Sequence, residues 1–362
     1  MGKYIYGVIG SGAAEEFPLE GVVQFVAGKG GMADPAPGGA DGERAYTVGW
    51  RDISAVVTDS LVVDYTAMPK DALARLLVRH QQVIERVMAR HTILPLRLGT
   101  CAENDEQVQQ ILASGYETIK AVLEEAQGVM EIDVTATISD FHSFLRHVAQ
   151  APDVEQVKQS LLQGREEVTT EDRMRVGILV KRHMDREKQQ MAAQIHAAFN
   201  CLTEDFKAHD LIDDIMVLNS AFLIRGDRQE DFYDQVEELN IRFCNQLDFR
   251  CVGPLPPYSF YTLDVRVTHF EEVDWARRQL GLSDDFITVD AIKQAHRKLA
   301  LTCHPDKNPD VPDIEKKFSD MSRAYKILLD YCRASGGARQ EEGVSLNGQD
   351  FEKDAILVTT LT

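Results

Sequence analysis

The sequence predicts an α+β protein whose mixed layers of strand and helix give way, near the C-terminus, to an all-helical module. Three observations predict it. Apolar side chains alternate along residues 3–9 and again along 129–138, the period of half-buried strands. Between them, from Pro69, Leu73, Leu76, Leu77, His80, Val83, Ile84, Val87, Met88 and His91 recur every three or four residues, one face of a helix. Between Val289 and Leu328, two amphipathic helical patterns flank a turn containing two prolines. A chain of 362 residues has room for two or three such domains.

The elements follow in order. Lys3–Ile9 is a first strand, and Ala45–Thr58 holds one or two more. Residues 28–43 between them are rich in Gly, Pro, Ala and Asp and read as a surface loop. The helix from Pro69 ends at Thr92–Thr100, where Pro95 and Gly99 oppose its continuation. A short helix is expected from Glu103, and Val129–Ile138 opens a new sheet. A long polar helix is expected over about Glu171–Lys207, with Leu202 and Phe206 on its apolar side. Ile215–Ile224 and Phe249–Val252 read as strands around a helix at Gln229–Cys244, and Gly253–Tyr258, with three prolines, reads as a rigid turn.

Charge narrows the partners. Thirty-nine Lys+Arg against 58 Asp+Glu leave −19, a poor match for nucleic acid or an anionic membrane. The C-terminal module departs from this, with 11 Lys/Arg and 10 Asp/Glu in residues 274–333. No apolar run approaches the ~20 residues of a membrane span. Glu15 and Glu16 interrupt any export signal, so a cytoplasmic protein is expected. The six cysteines form no CxxC pair and read as reduced thiols.

The most specific pattern lies in the helical module. Thr288 can cap a helix whose apolar face is Val289, Ile292, His296, Leu299 and Cys303. Lys293 and Arg297, one turn apart, lie on a different face, with Lys298 beyond them. Pro305 must end that helix at His304. After the polar turn His304–Asp310, Asp310 and Asp313 suit the start of a second helix striped by Ile314, Phe318, Met321, Tyr325 and Leu328. This segment resembles the J domain, the hairpin by which co-chaperones engage DnaK-type chaperones. The resemblance implies that His304, Pro305 and Asp306 trigger the chaperone's ATP hydrolysis. It implies also that Lys293, Arg297, Lys298 and Lys307 dock on its acidic surface. The chain departs from the usual pattern at Gln294, His296 and Thr302-Cys303.

Upstream, the run Thr92–Thr100 after the helix bearing His80, the opening Tyr4–Val8, the strand Val217–Leu223 and Gly253–Phe260 are together similar to the GvpL/GvpF gas vesicle protein family. Leu98 and Leu255 stand where that family usually has Phe and Trp. The resemblance implies two α+β domains, the second ferredoxin-like, and a non-enzymatic role in building gas vesicles. Implied partners are the very apolar shell protein and other accessory proteins; implied locations are the cytoplasm and the gas vesicle. The expected domains are 1–127, 128–268, a J domain at 269–334 and a flexible tail at 335–362 ending in a β-prone run, Ala355–Leu361. A second reading keeps the hairpin as a docking or packing appendage of a structural or wall-associated vesicle protein.

Other signals point to no chemistry. Gly10-Ser-Gly12 lacks the third glycine of a dinucleotide loop, and Lys29 lacks the P-loop spacing. His142 and His147 have no HExxH pattern, so no metal and no cofactor is expected. His80 reads as a core histidine and Glu166-Glu167 and Asp213-Asp214 as solvated surface; Arg97 and Tyr258 read either as partner contacts or as braces of a domain junction and of the Pro-rich turn.

Overall fold

A computed structural model of the chain describes residues 2–20, 44–60, 68–162, 169–244, 246–268, 270–282, 286–303, 313–334, 344–345 and 355–361. The expected loop at 28–43 lies outside these residues. The chain forms two compact units, Met1–Gln127 with Tyr261–Thr362, and Gly128–Phe260.

The first unit is built on an antiparallel sheet of β1 (Gly2–Ile9), β2 (Glu16–Pro18), β3 (Arg44–Trp50), β4 (Ile53–Ser60), β5 (Ile93–Pro95) and β6 (Cys101–Ala102). Its order is β2-β3-β4-β1-β5, with β6 also on β1. The central strand β1 is buried on both faces. Ile5 and Val8 join Val108, Ile111, Leu112 and Ile119 from α2 (Asp105–Ser114) and α3 (Tyr116–Glu125) in one apolar core. On the other face, Tyr4 and Tyr6 meet α1 (Lys70–Met88): the Tyr4 hydroxyl lies 2.9 Å from His80 Nδ1, and Arg79 Nε donates to the Tyr6 hydroxyl at 3.2 Å. Burial pushes the His80 imidazole down to about 4, so it is neutral, a core histidine as read from the sequence. Burial along α1 begins at Leu76; Leu73 and Leu77 are exposed, one turn short of the expected stripe. Gly12 permits a close approach of two backbone segments. A Cβ there would sit 2.3 Å from the Arg51 carbonyl oxygen in the turn between β3 and β4.

The second unit carries the ferredoxin-like arrangement. β7 (Val129–Ile138), β8 (Asp205–Ala208), β9 (Met216–Arg225) and β10 (Leu247–Leu255) form an antiparallel sheet in the order β10-β7-β9-β8. α4 (Phe141–Val148), α5 (Pro152–Leu162) and α6 (Thr170–Phe199) follow β7, and α7 (Gln229–Arg242) links β9 to β10. Ile132, Val134 and Ala136 of β7 face Ile195, Phe199 and Phe232, the last two stacked with ring centroids 4.4 Å apart. Two expectations are corrected. The long helix stops at Phe199, because the Glu204 N–H donates to the Leu223 carbonyl and draws Phe206 and Lys207 into an edge strand. The strand expected at Phe249–Val252 runs on to Leu255, through a register shift and a cis Gly253–Pro254 bond, so the rigid turn is partly strand.

The opposite face of β7 carries Glu131 and Asp133, which strand alternation alone would assign to solvent. Instead α8 (Tyr258–Tyr261) begins over it, and Glu131 accepts from the Ser259 N–H at 2.7 Å and from Ser259 Oγ at 2.8 Å. Lys207 Nζ donates to the Ser259 carbonyl at 2.7 Å. Glu131 is only 2% exposed, and burial pushes its carboxyl up to about 7. Asp133 beside it is raised for the same reason.

After α8 the chain re-enters the first unit. β11 (Thr262–Thr268) bridges Leu96 through Leu263, and the Arg97 N–H donates to the Leu263 carbonyl at 2.9 Å. The division therefore falls at residue 260, earlier than the expected 268, because the hydrogen bonds of β11 go to the first unit. Arg97 also reaches the buried Asp264 at 3.5 Å. The tail differs too. Its β-prone run is β14 (Ala355–Leu361), paired antiparallel with β11 along its whole length, so this part is held and not loose.

Glu131 keeps its proton to about pH 7 when folded but releases it near 4.5 when unfolded. Between those limits the folded state binds more protons, so its stability falls as pH rises across them. Thermal melts should give wild type a higher Tm at pH 5 than at pH 7.5 relative to Glu131→Gln, by roughly a few degrees; parallel profiles for the two proteins would refute this.

Candidate functional site: a helical hairpin with a cationic outer face

Three helices build the C-terminal module: α9 (Phe270–Gln279), α10 (Val289–Cys303) and α11 (Ile314–Ala334). The hairpin pattern foretold α10 and α11; α9 packs against α11 as well. Its end is a Schellman turn. The N–H groups of Gly281 (φ 64°) and Leu282 bond the carbonyls of Arg278 and Arg277. Arg323 of α11 lies over the Trp275 ring of α9 at 5.4 Å and reaches Glu272 at 3.4 Å.

The packing of α10 on α11 follows its sequence pattern. The Ala291 N–H donates to Thr288 Oγ1 at 3.2 Å, the expected cap. Ile292 is buried with Met321, Ala324 and Leu328, while Val289, Leu299, Phe318 and Tyr325 pack around them. The His296 ring stacks on Tyr325 with centroids 4.2 Å apart, filling a position where an aromatic side chain suits the hairpin. Tyr331 and Cys332 extend this core beyond the expected stripe, and burial pushes the Cys332 thiol up to about 11, so it is inert. A two-stranded bridge between β12 (Phe286–Ile287) and β13 (Val344–Ser345) closes the base.

The opposite face of α10 is cationic. Arg297 and Lys298 are exposed and Lys293 is half-buried; among the described residues no carboxylate is paired with any of them. Leu301, 68% exposed, lies one turn along from Arg297 and adds an apolar point that the sequence reading passed over. His304, Pro305, Asp306, Lys307 and the expected cap Asp310 lie outside the described residues. Asp313, with φ 58°, precedes α11 and accepts from the Lys317 N–H at 3.0 Å. Three cations on a rigid helix, separated from the buried seam, can steer an acidic partner without costing core stability.

No group of three or more His, Cys, Asp or Glu residues suited to a metal ion occurs among the described residues. Glu131, buried, and Asp133, half-buried beside it, are a pair that sequence reasoning missed, because their spacing matches a solvated strand face. No described helix is long and apolar enough to cross a membrane.

The fold and the hairpin together define a mixed α+β protein with a J-type helical module at its C-terminal end. The profile of the gas vesicle synthesis protein GvpL/GvpF family matches residues 2–262, and that of the DnaJ domain matches residues 278–334. The chain belongs to the GvpL/GvpF family and carries a DnaJ domain in addition. It is similar to gas vesicle protein F of Microcystis aeruginosa, 25% identical over 205 residues, 55% of this chain and 83% of that one. Gas vesicle protein F of Haloferax mediterranei is 21% identical over 265 residues, 72% of this chain and 94% of the other. The chaperone protein DnaJ of Nitratidesulfovibrio vulgaris is 51% identical over 51 residues, 14% of this chain and 13% of that protein. The crystal structure of GvpF from Anabaena shares the fold with a TM-score of 0.57 at 21% identity, covering 71% of this chain and 97% of that one.

Leu328 is fully buried at the centre of the three-helix core. Leu328→Ala should cost about 2–5 kcal/mol. Hydrogen exchange should show faster exchange in α10 and α11 and an unchanged second unit; equal exchange in the hairpin would contradict this packing.

Proposed function

We propose that this protein is a non-enzymatic assembly factor for gas vesicles, acting in the cytoplasm and on the growing vesicle. In this reading the GvpL/GvpF part binds the hydrophobic shell protein alongside other accessory proteins. The J domain recruits a DnaK-type chaperone and stimulates its ATPase. The single observation that carries it is the presence of both modules in one chain, over residues 2–262 and 278–334.

Physical chemistry supports the pairing. An unassembled shell subunit of high apolarity exposes sheet edges and apolar surface, and so aggregates. A partner with a net charge of −19 keeps such a complex dispersed. Joining the client-binding and chaperone-binding parts raises the effective concentration of one at the other. Lys293, Arg297 and Lys298, with no carboxylate partner among the described residues, supply the electrostatic half of chaperone contact, and His304, Pro305 and Asp306 are proposed to supply the trigger. The second reading, a hairpin kept for packing in a structural vesicle protein, draws support from the burial of Leu357 of β14 in the hairpin core.

Chaperone ATPase assays separate the two. The purified protein should accelerate single-turnover hydrolysis by a DnaK-type chaperone, and His304→Gln should abolish the acceleration with the helical content intact. Moving from low to physiological salt should weaken the contact, since exposed charges are screened over about 8 Å. Equal rates with wild type and variant would leave the packing reading alone.

The client arm has its own readout. On co-expression, His304→Gln should still retain the shell protein to the same extent as wild type. Loss of the shell protein from that variant would show that the hairpin, and not the GvpL/GvpF part, holds the client.

A further inference from the structure

The C-terminal strand β14 lies where two cores meet. Successive strand residues point to opposite faces, and two adjacent side chains of β14 use this fully. Leu357, 5% exposed, is buried in the hairpin core with Leu328, Tyr331 and Cys332. Val358, 2% exposed, is buried in the sheet core of the same unit with Ile111, Leu112 and Ile119. The strand is held on three sides. β11 pairs with all seven of its residues, Ser114 Oγ donates to the Ile356 carbonyl at 2.7 Å, and α11 packs against it. Gly115, between α2 and α3, makes the close approach possible. A Cβ there would stand 2.7 Å from Val358 Cβ and Cγ2.

We propose that β14 is a strap that joins the J-type hairpin and the N-terminal sheet domain into one cooperative unit, with Gly115 as its seat. The hairpin is then not a tethered module that folds and moves by itself. A disturbance at Gly115, some 240 residues away in sequence from β14, is transmitted through the strap to α10 and α11. The proposal is independent of what the hairpin binds.

The test is a steric wedge and its relief, read by hydrogen–deuterium exchange on the full chain. Gly115 has φ −92°, so alanine there brings no backbone strain, only the clash with Val358. Gly115→Ala should speed exchange at least fivefold in β14 and also in α10 and α11. Val358→Ala, which removes both Cγ atoms but keeps the Cβ, relieves part of the clash and should give a mild increase alone. Combined with Gly115→Ala, it should bring α10 and α11 part of the way back from the Gly115→Ala level toward that of Val358→Ala, a non-additivity that only a shared contact produces. Faster exchange in β14 with wild-type rates in α10 and α11 would show that the hairpin folds independently and would overturn the proposal. So would wild-type exchange throughout the Gly115→Ala protein, or a double variant no better protected than Gly115→Ala alone.

Discussion

The pairing of β11 with β14 is the constraint on which the first unit depends. It brings a segment that follows the ferredoxin-like unit, and a segment from the extreme C-terminus, onto the sheet domain begun by residue 2. The ladder satisfies backbone groups that the tail would otherwise leave to water. Its alternation divides one short strand between two cores. Burial of Leu357 and Val358 contributes about 1.5–3 kcal/mol each. A strand so placed joins two hydrophobic clusters that lie far apart in sequence.

The hairpin shows how one helix carries a buried seam and an exposed cationic face at once. On α10 the buried Ile292 and the stacked His296 lie on the seam with α11, while Arg297, Lys298 and Leu301 face outward. These roles separate because 3.6 residues per turn place them on different sides. A charge on the outer side has no core partner to lose, so the surface can be tuned for encounter without disturbing the fold. The second unit makes the opposite choice at Glu131. There a carboxyl group is taken out of water and stabilised by the Ser259 N–H and hydroxyl, fixing the segment that leads back to the first unit.

Much of this was legible in the chain. The alternation of β1 and β7, the apolar run of β9, the apolar stripe of α1 from Leu76, and the helices α10 and α11 all follow from local sequence pattern, which the core preserves. The hairpin could be read because its information is local, with a Thr cap, a proline stop and a regular stripe within about 40 residues. Phe206 was misread because spacing from Leu202 fits a helix, whereas the Leu223 carbonyl draws the chain into the sheet. Glu131 was passed over because burial of a polar strand face depends on a segment that arrives about 120 residues later.

The sequence by itself determined the class of the fold, the two modules and the cationic face of α10, since each is written in neighbouring residues. Only the tertiary structure decided where the last strand goes, which face of β7 is closed and where the units divide. Those outcomes depend on hydrogen-bond partners and close approaches between distant segments, such as Gly115 and Val358, that periodicity does not encode.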